Sequence, residues 1–231
     1  MILELKNTSR KFTSGERSIE VLSNVNFDIS SGETVAIVGP SGSGKTTLLG
    51  LCAGLDIPTS GNIQLVGGNL EKMSEDQRAI LRRDKVGFVF QNFELIPTLT
   101  ALENVAIPLD LKNVSGANQK AQEFLNRVGL EHRAHHYPTQ LSGGEQQRVA
   151  IARAFVHNPQ IVFADEPTGN LDEETGTNIE NLLFSLNKER GTTLVLVTHN
   201  LDLAAKAQRI IELKSGVVIR DEKSKSEGLE N

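Results

Sequence analysis

Short apolar runs separated by polar turns set the rhythm of this chain. Near the N-terminus, residues 2–5, 20–27 and 33–38 read as strands, the last following a Ser31-Gly32 turn. The runs 86–90, 161–163 and 193–197 are rich in Val, Ile, Leu and Phe, as strands buried on both faces are. Helical periodicity between them favours an α/β fold with a parallel sheet and right-handed crossovers. Residues 103–156 lack strand alternation, and apolar spacings of three and four over 120–128 and 145–155 predict a helical insert. Residues 209–220 suggest a hairpin around Lys214-Ser215-Gly216, and the polar segment 221–231 is expected to be a frayed tail. No internal repeat or low-complexity segment interrupts this order.

At 231 residues the chain fits one domain with internal lobes and needs no disulfide or metal to complete its core. Its net charge of −5 and pI near 5.6 argue against a nucleic-acid partner. The single cysteine, Cys52, lies in an apolar stretch and reads as a small buried hydrophobe. The first six residues lack the layout of a secretion signal, so the chain is expected to start here and stay in the cytosol. No apolar run approaches the roughly 20 residues that span a bilayer, which leaves any membrane role to a partner.

The run Gly39-Pro40-Ser41-Gly42-Ser43-Gly44-Lys45-Thr46 satisfies every fixed position of a phosphate-binding loop. It follows a strand and opens an apolar helix that begins at Thr47. Such loops need glycine because the backbone wraps phosphate oxygens closely, presenting N–H groups beside a helix N-terminus. A side chain at Gly42 or Gly44 is expected to obstruct that approach. Lys45 suits the β and γ phosphates, and the Thr46 hydroxyl suits magnesium.

Asp165 and Glu166 close the apolar run 161–164, at the strand edge where ligands of open α/β sheets gather. Asp165 suits metal coordination and Glu166 suits polarising an attacking water. His199 follows the run 193–197 and Gln91 follows 86–90, so both are expected at the same edge. His199 would face the γ phosphate, and Gln91 would sense magnesium and water while leading into the helical insert.

The segment Leu141-Ser142-Gly143-Gly144-Glu145-Gln146-Gln147-Arg148 resembles the signature of ATP-binding cassette (ABC) ATPases. Around it, in the family's order, stand the phosphate loop, Gln91, Asp165-Glu166, Asn170-Leu171-Asp172 and His199. The resemblance spans about residues 1–220. It implies a P-loop NTPase (RecA-like) core, residues 1–91 and 157–220, with an N-terminal antiparallel β subdomain and a helical subdomain over 92–156. It also implies a head-to-tail homodimer on ATP, in which Ser142, Gly143 and Gly144 of one copy cover the nucleotide held at residues 39–47 of the other. Phe12 falls where the family stacks an aromatic ring on adenine.

The segments 86–91, 95–100 and 103–105 look like the lipoprotein-releasing and macrolide-exporting group. That group implies ATP and Mg2+, and integral membrane subunits with a large extracytoplasmic domain. It also implies peripheral attachment to the cytoplasmic face of the inner membrane. Export or lipoprotein release is the expected output. The alternative is a cassette that transmits force to a periplasmic enzyme without transport. A soluble cassette acting on ribosomes or DNA would call for tandem cassettes or a long coiled-coil insert, and the sequence has neither.

Overall fold

A computed structural model describes residues 1–15 and 17–224. In chain order they form β1 (Leu3–Ser14), β2 (Arg17–Ile29), β3 (Thr34–Val38), α1 (Lys45–Cys52), β4 (Ser60–Leu65), β5 (Gly68–Asn69), α2 (Glu75–Lys85), β6 (Val86–Val89), α3 (Ala101–Asp110), α4 (Ala117–Arg127), α5 (Gly143–Phe155), β7 (Ile161–Asp165), α6 (Glu173–Arg190), β8 (Thr193–Val197), α7 (Leu201–Ala205), β9 (Arg209–Lys214) and β10 (Val217–Lys223). Contacts divide the chain into two compact units. One is Met1–Ala79 with the chain from Thr193 onward; the other is Ile80–Thr192.

The first unit holds an antiparallel sheet in the order β2-β1-β4-β5. β1 and β2 run far beyond the strands expected at 2–5 and 20–27. Register shifts after Leu5, Thr8 and Arg10 break the two-residue alternation that a sequence reading depends on. Asn7 and Asn24 take left-handed φ values of 50° and 49°, which asparagine tolerates. Their N–H groups donate to Asn26 Oδ1 at 2.7 Å and Ser9 Oγ at 2.9 Å.

The same unit also lays β3 parallel to both β8 and β9, with β10 antiparallel to β9. Every residue of β3 and β8 is buried, which explains their unbroken apolar runs. Ser215 and Gly216 turn the β9–β10 hairpin with φ of 49° and 78°, the signs a two-residue type I′ turn requires. β10 continues to Lys223, so Asp221–Lys223 are strand and not the frayed tail expected there. The Arg209 guanidinium grips the Asp221 carboxylate at 2.6 and 2.7 Å and ties this end of the strand down. Of the expected tail, residues 225–231 lie outside the described residues.

The second unit pairs β6 with β7 in parallel and contains the whole helical stretch 92–156, together with α6. The helix expected at 145–155 begins two residues earlier, where Ser142 caps it. Its buried face carries Val149, Ile151 and Phe155. α3 opens on a Thr100–Glu103 capping box. Fully buried Asn104 folds the preceding segment by accepting from Ile96 N–H at 2.8 Å and donating to the Leu99 and Thr100 carbonyls, each at 3.0 Å.

A Cβ at Gly216 would stand 2.3 Å from the Val21 carbonyl oxygen at φ +78°, whereas Gly129 has φ +73° with nothing within 4 Å. Gly216→Ala should therefore cost about 2 kcal/mol or more, and Gly129→Ala about 1 kcal/mol. Urea unfolding of both variants checks this, and equal losses would contradict it.

Candidate functional site

The phosphate loop grows out of β3 and is shaped by its neighbours. A Cβ at Gly39, φ +151°, would lie 2.1 Å from the Leu213 carbonyl oxygen of β9. At Gly44, φ +101°, it would meet Val21 O and Leu22 Cδ2 of β2, both at 3.0 Å. Gly42 has open space around it and needs glycine for its φ of +74°. Packing and backbone conformation thus demand these glycines before any ligand arrives. Ser43 N–H donates to Pro40 O at 3.2 Å, and Gly216 N–H donates to Ser43 O at 3.1 Å. Ser41 and Gly42 are exposed at the loop tip.

Gly44 caps α1 without a side-chain acceptor, and the first turn, Lys45, Thr46 and Thr47, carries no carboxylate. Its N–H groups therefore suit an anion. The Lys45 ammonium lies back over the loop, donating to Gly39 O at 2.9 Å and Pro40 O at 3.1 Å. Because β8 runs parallel to β3, with Ile37 level with Val197, exposed His199 leaves the sheet at the same end as Gly39. Phe12 pairs across the ladder with Ile19 on β2, the strand that packs on Gly44. Its half-exposed ring carries the Arg10 guanidinium 4.6 Å from its centroid, and Asp56 holds that guanidinium at 2.7 Å.

In the second unit, Val89 stands level with Ala164, so Gln91 and Asp165-Glu166 emerge at one end of the β6–β7 pair. Glu166 takes a left-handed φ of 45°, costly for a residue with a side chain. Gln91 Nε2 donates to Asn170 Oδ1 at 3.2 Å, while Asn170 Nδ2 donates to Gln91 O at 3.1 Å and to Asn92 Oδ1 at 2.9 Å. Asp172 caps α6 by accepting from Thr175 N–H at 3.0 Å, which holds its carboxyl below the usual range.

Ser142 caps α5, accepting from Glu145 N–H at 3.3 Å, and its own N–H donates to Glu145 Oε2 at 2.8 Å. The bond from Ser142 N–H keeps the Glu145 carboxyl low, and Arg133 Nε adds a bond of 2.9 Å. The Ser142 hydroxyl also bonds the Glu145 carboxylate and helps to keep it low, so the two side chains of the cap close on each other. A Cβ on Gly144 would strike Thr175 Cγ2 at 2.5 Å, and one on Gly143 would meet Leu171 Cδ2 at 3.3 Å. The signature glycines let α5 close on the start of α6.

With this geometry in view, the profile of the ABC transporter family matches residues 22–169. The chain belongs to the ABC transporter family. It is an ATPase cassette of that family, and its fold is the mixed α/β cassette fold. The uncharacterized ABC transporter ATP-binding protein YbbA of Escherichia coli is 52% identical over 217 residues, covering 93% of this chain and 95% of that protein. MJ0796 of Methanocaldococcus jannaschii is 50% identical over 228 residues, covering 96% and 97%. The dimeric structure of a post-hydrolysis state of the cassette MJ0796 bound to ADP and Pi superposes with a TM-score of 0.90 at 48% identity, covering 97% of this chain and all of that one.

Sequence reasoning passed over two residues of α5. Arg153 donates to Phe93 O at 2.7 Å and Glu94 O at 2.5 Å, holding two consecutive left-handed residues just after Gln91. Buried Gln147 donates to Pro167 O, next to Glu166. Gln147 is a polar side chain on the buried stripe of α5, which was the available signal, whereas the half-buried Arg153 gave none.

The cassette also has a groove of about 290 Å³, lined by Phe88, Phe90, Leu111, Arg153 and His157 among others. Burial, with repulsion from Lys112, pushes the His157 imidazole down to about 4, while its Nε2 contacts Val86 O at 3.1 Å. As pH falls from about 6.5 towards 4, the unfolded chain gains this proton and the folded one does not, so stability declines across that window. His157→Gln should flatten the decline in melting temperature between pH 7 and 5. An unchanged slope would contradict the assignment.

Proposed function

We propose that this cassette binds ATP with magnesium and pairs head-to-tail with a second copy, driving a membrane subunit with a large extracytoplasmic domain. The observation that carries the reading is the start of α5 at Ser142, Gly143 and Gly144, a second helix N-terminus standing apart from a complete phosphate loop. One copy has its own loop to hold the nucleotide and a second, glycine-flanked helix start to offer a partner. The dimeric, ADP- and Pi-bound relative supports both the pairing and the hydrolysis.

The roles follow from side-chain chemistry. Residues 39–47 hold the phosphates, with Lys45 as the point charge, and Phe12 offers its exposed face to adenine. Magnesium, when bound, neutralises phosphate charge. The hydroxyl of Thr46, the carboxylate of Asp165 and the amide oxygen of Gln91 are the hard oxygen donors it takes. Glu166 orients and deprotonates the attacking water, and His199 meets the charge that develops on the γ phosphate.

No described helix is long and apolar enough to cross a membrane, so attachment to the cytoplasmic face of the inner membrane rests on the partner. Gln91 and residues 92–105, which leave the end of β6, are the part that pushes on that partner. Export or lipoprotein release is the output that residues 86–105 favour.

Glu166→Gln keeps the shape and removes the base. It should bind ATP normally, hydrolyse it at least a hundredfold more slowly and accumulate as an ATP-bound dimer. Steady-state ATPase with light scattering measures both, and normal turnover would remove Glu166 from its role.

A further inference from the structure

The turn that carries Glu166 needs outside support. β7 ends at Asp165, and Glu166 then takes a left-handed φ of 45° that a residue with a side chain does not hold by preference. Gly169 N–H closes the turn on Glu166 O at 3.1 Å, and Leu171 N–H reaches Thr168 O at 3.1 Å. The Pro167 carbonyl in the middle takes its donor from elsewhere: Gln147 Nε2, on α5, at 2.5 Å.

Gln147 is fully buried, and its Oε1 is buried with no hydrogen-bond partner among the described residues. It lies on the same stripe as Ala150, Ile151 and Ala154, where an aliphatic side chain would pack without leaving an acceptor unpaired. Glutamine there is explained by its one bond. That bond links the carbonyl next to Glu166 to the helix whose cap is Ser142, five residues or about 7.5 Å earlier along the axis. The same helix is gripped at its start by Arg133 through Glu145, and near its end by Arg153 on the Phe93 and Glu94 carbonyls.

We propose that Gln147 is a positioning residue for Glu166, fixing the strained turn so that its carboxylate is aimed only when α5 is in place. This rests on reading Glu166 as the base. When Ser142 engages a phosphate, the seating of α5 passes through Gln147 to the Pro167 carbonyl, which ties water activation to closure.

The test uses the full chain with Gln147→Leu, Gln147→Glu and Glu166→Gln measured side by side. Gln147→Leu should lower kcat by about tenfold or more, the scale of a small misplacement, with KM for ATP and ATP-induced dimerisation unchanged. Gln147→Glu can donate to the Pro167 carbonyl only when protonated, so its rate relative to wild type should recover as pH is lowered. A wild-type kcat in Gln147→Leu, with Glu166→Gln inactive, would overturn this inference and leave the base intact. Loss of kcat, KM and melting temperature together, with no acid recovery in Gln147→Glu, would reduce Gln147 to a packing role. Normal turnover by Glu166→Gln would overturn both.

Discussion

The cassette depends on a loop whose backbone packs closely against its neighbours at Gly39 and Gly44, where no side chain projects. Gly39 and Gly44 are pressed against β9 and β2, so the sheets on either side fix the loop before nucleotide enters. Lys45 stays on the loop through two backbone carbonyls, with no carboxylate in the first turn of α1 to neutralise it. The loop backbone is preorganised, whereas the Lys45 ammonium must leave the Gly39 and Pro40 carbonyls to reach a phosphate.

The second unit holds the residues through which, in the proposed reading, hydrolysis would become conditional on closure. α5 is the element through which its parts meet: Ser142 at its start, Gln147 against the turn after Glu166, and Arg153 on the segment after Gln91. Asn170 binds Gln91 and Asn92, which ties the strand-end glutamine to the turn leading into α6. α5 thus has a polar anchor near each end and one in its middle.

Much of this was legible because its determinants are contiguous. The phosphate loop, the signature and the strand-ending Asp165-Glu166 each occupy a few adjacent residues whose order dictates local geometry. Strands β3 and β8 were readable as unbroken apolar runs, and Ser215-Gly216 as a turn. The long β1–β2 ladder was not, because bulges at Asn7 and Asn24 shift the period that betrays a strand. β10 was hidden by its charges, which Arg209 answers from a neighbouring strand. The glycines were assigned to ligand approach, yet Gly39 and Gly44 are first needed for packing against β9 and β2. Gln147 and Arg153 were missed because their partners, Pro167 and residues 93–94, are 20 and about 60 positions away in the chain.

The central claim is that each nucleotide is held by the loop of one copy and covered by the signature of another. Mixing two inactive variants, Lys45→Ala and Ser142→Arg, tests it most directly. In a head-to-tail pair, the mixed dimer places the intact loop of the second variant opposite the intact signature of the first, while each homodimer has both sites broken. ATPase activity should therefore reappear on mixing and track the fraction of mixed dimer. Two variants that remain inactive after mixing, although they bind one another, would contradict the account.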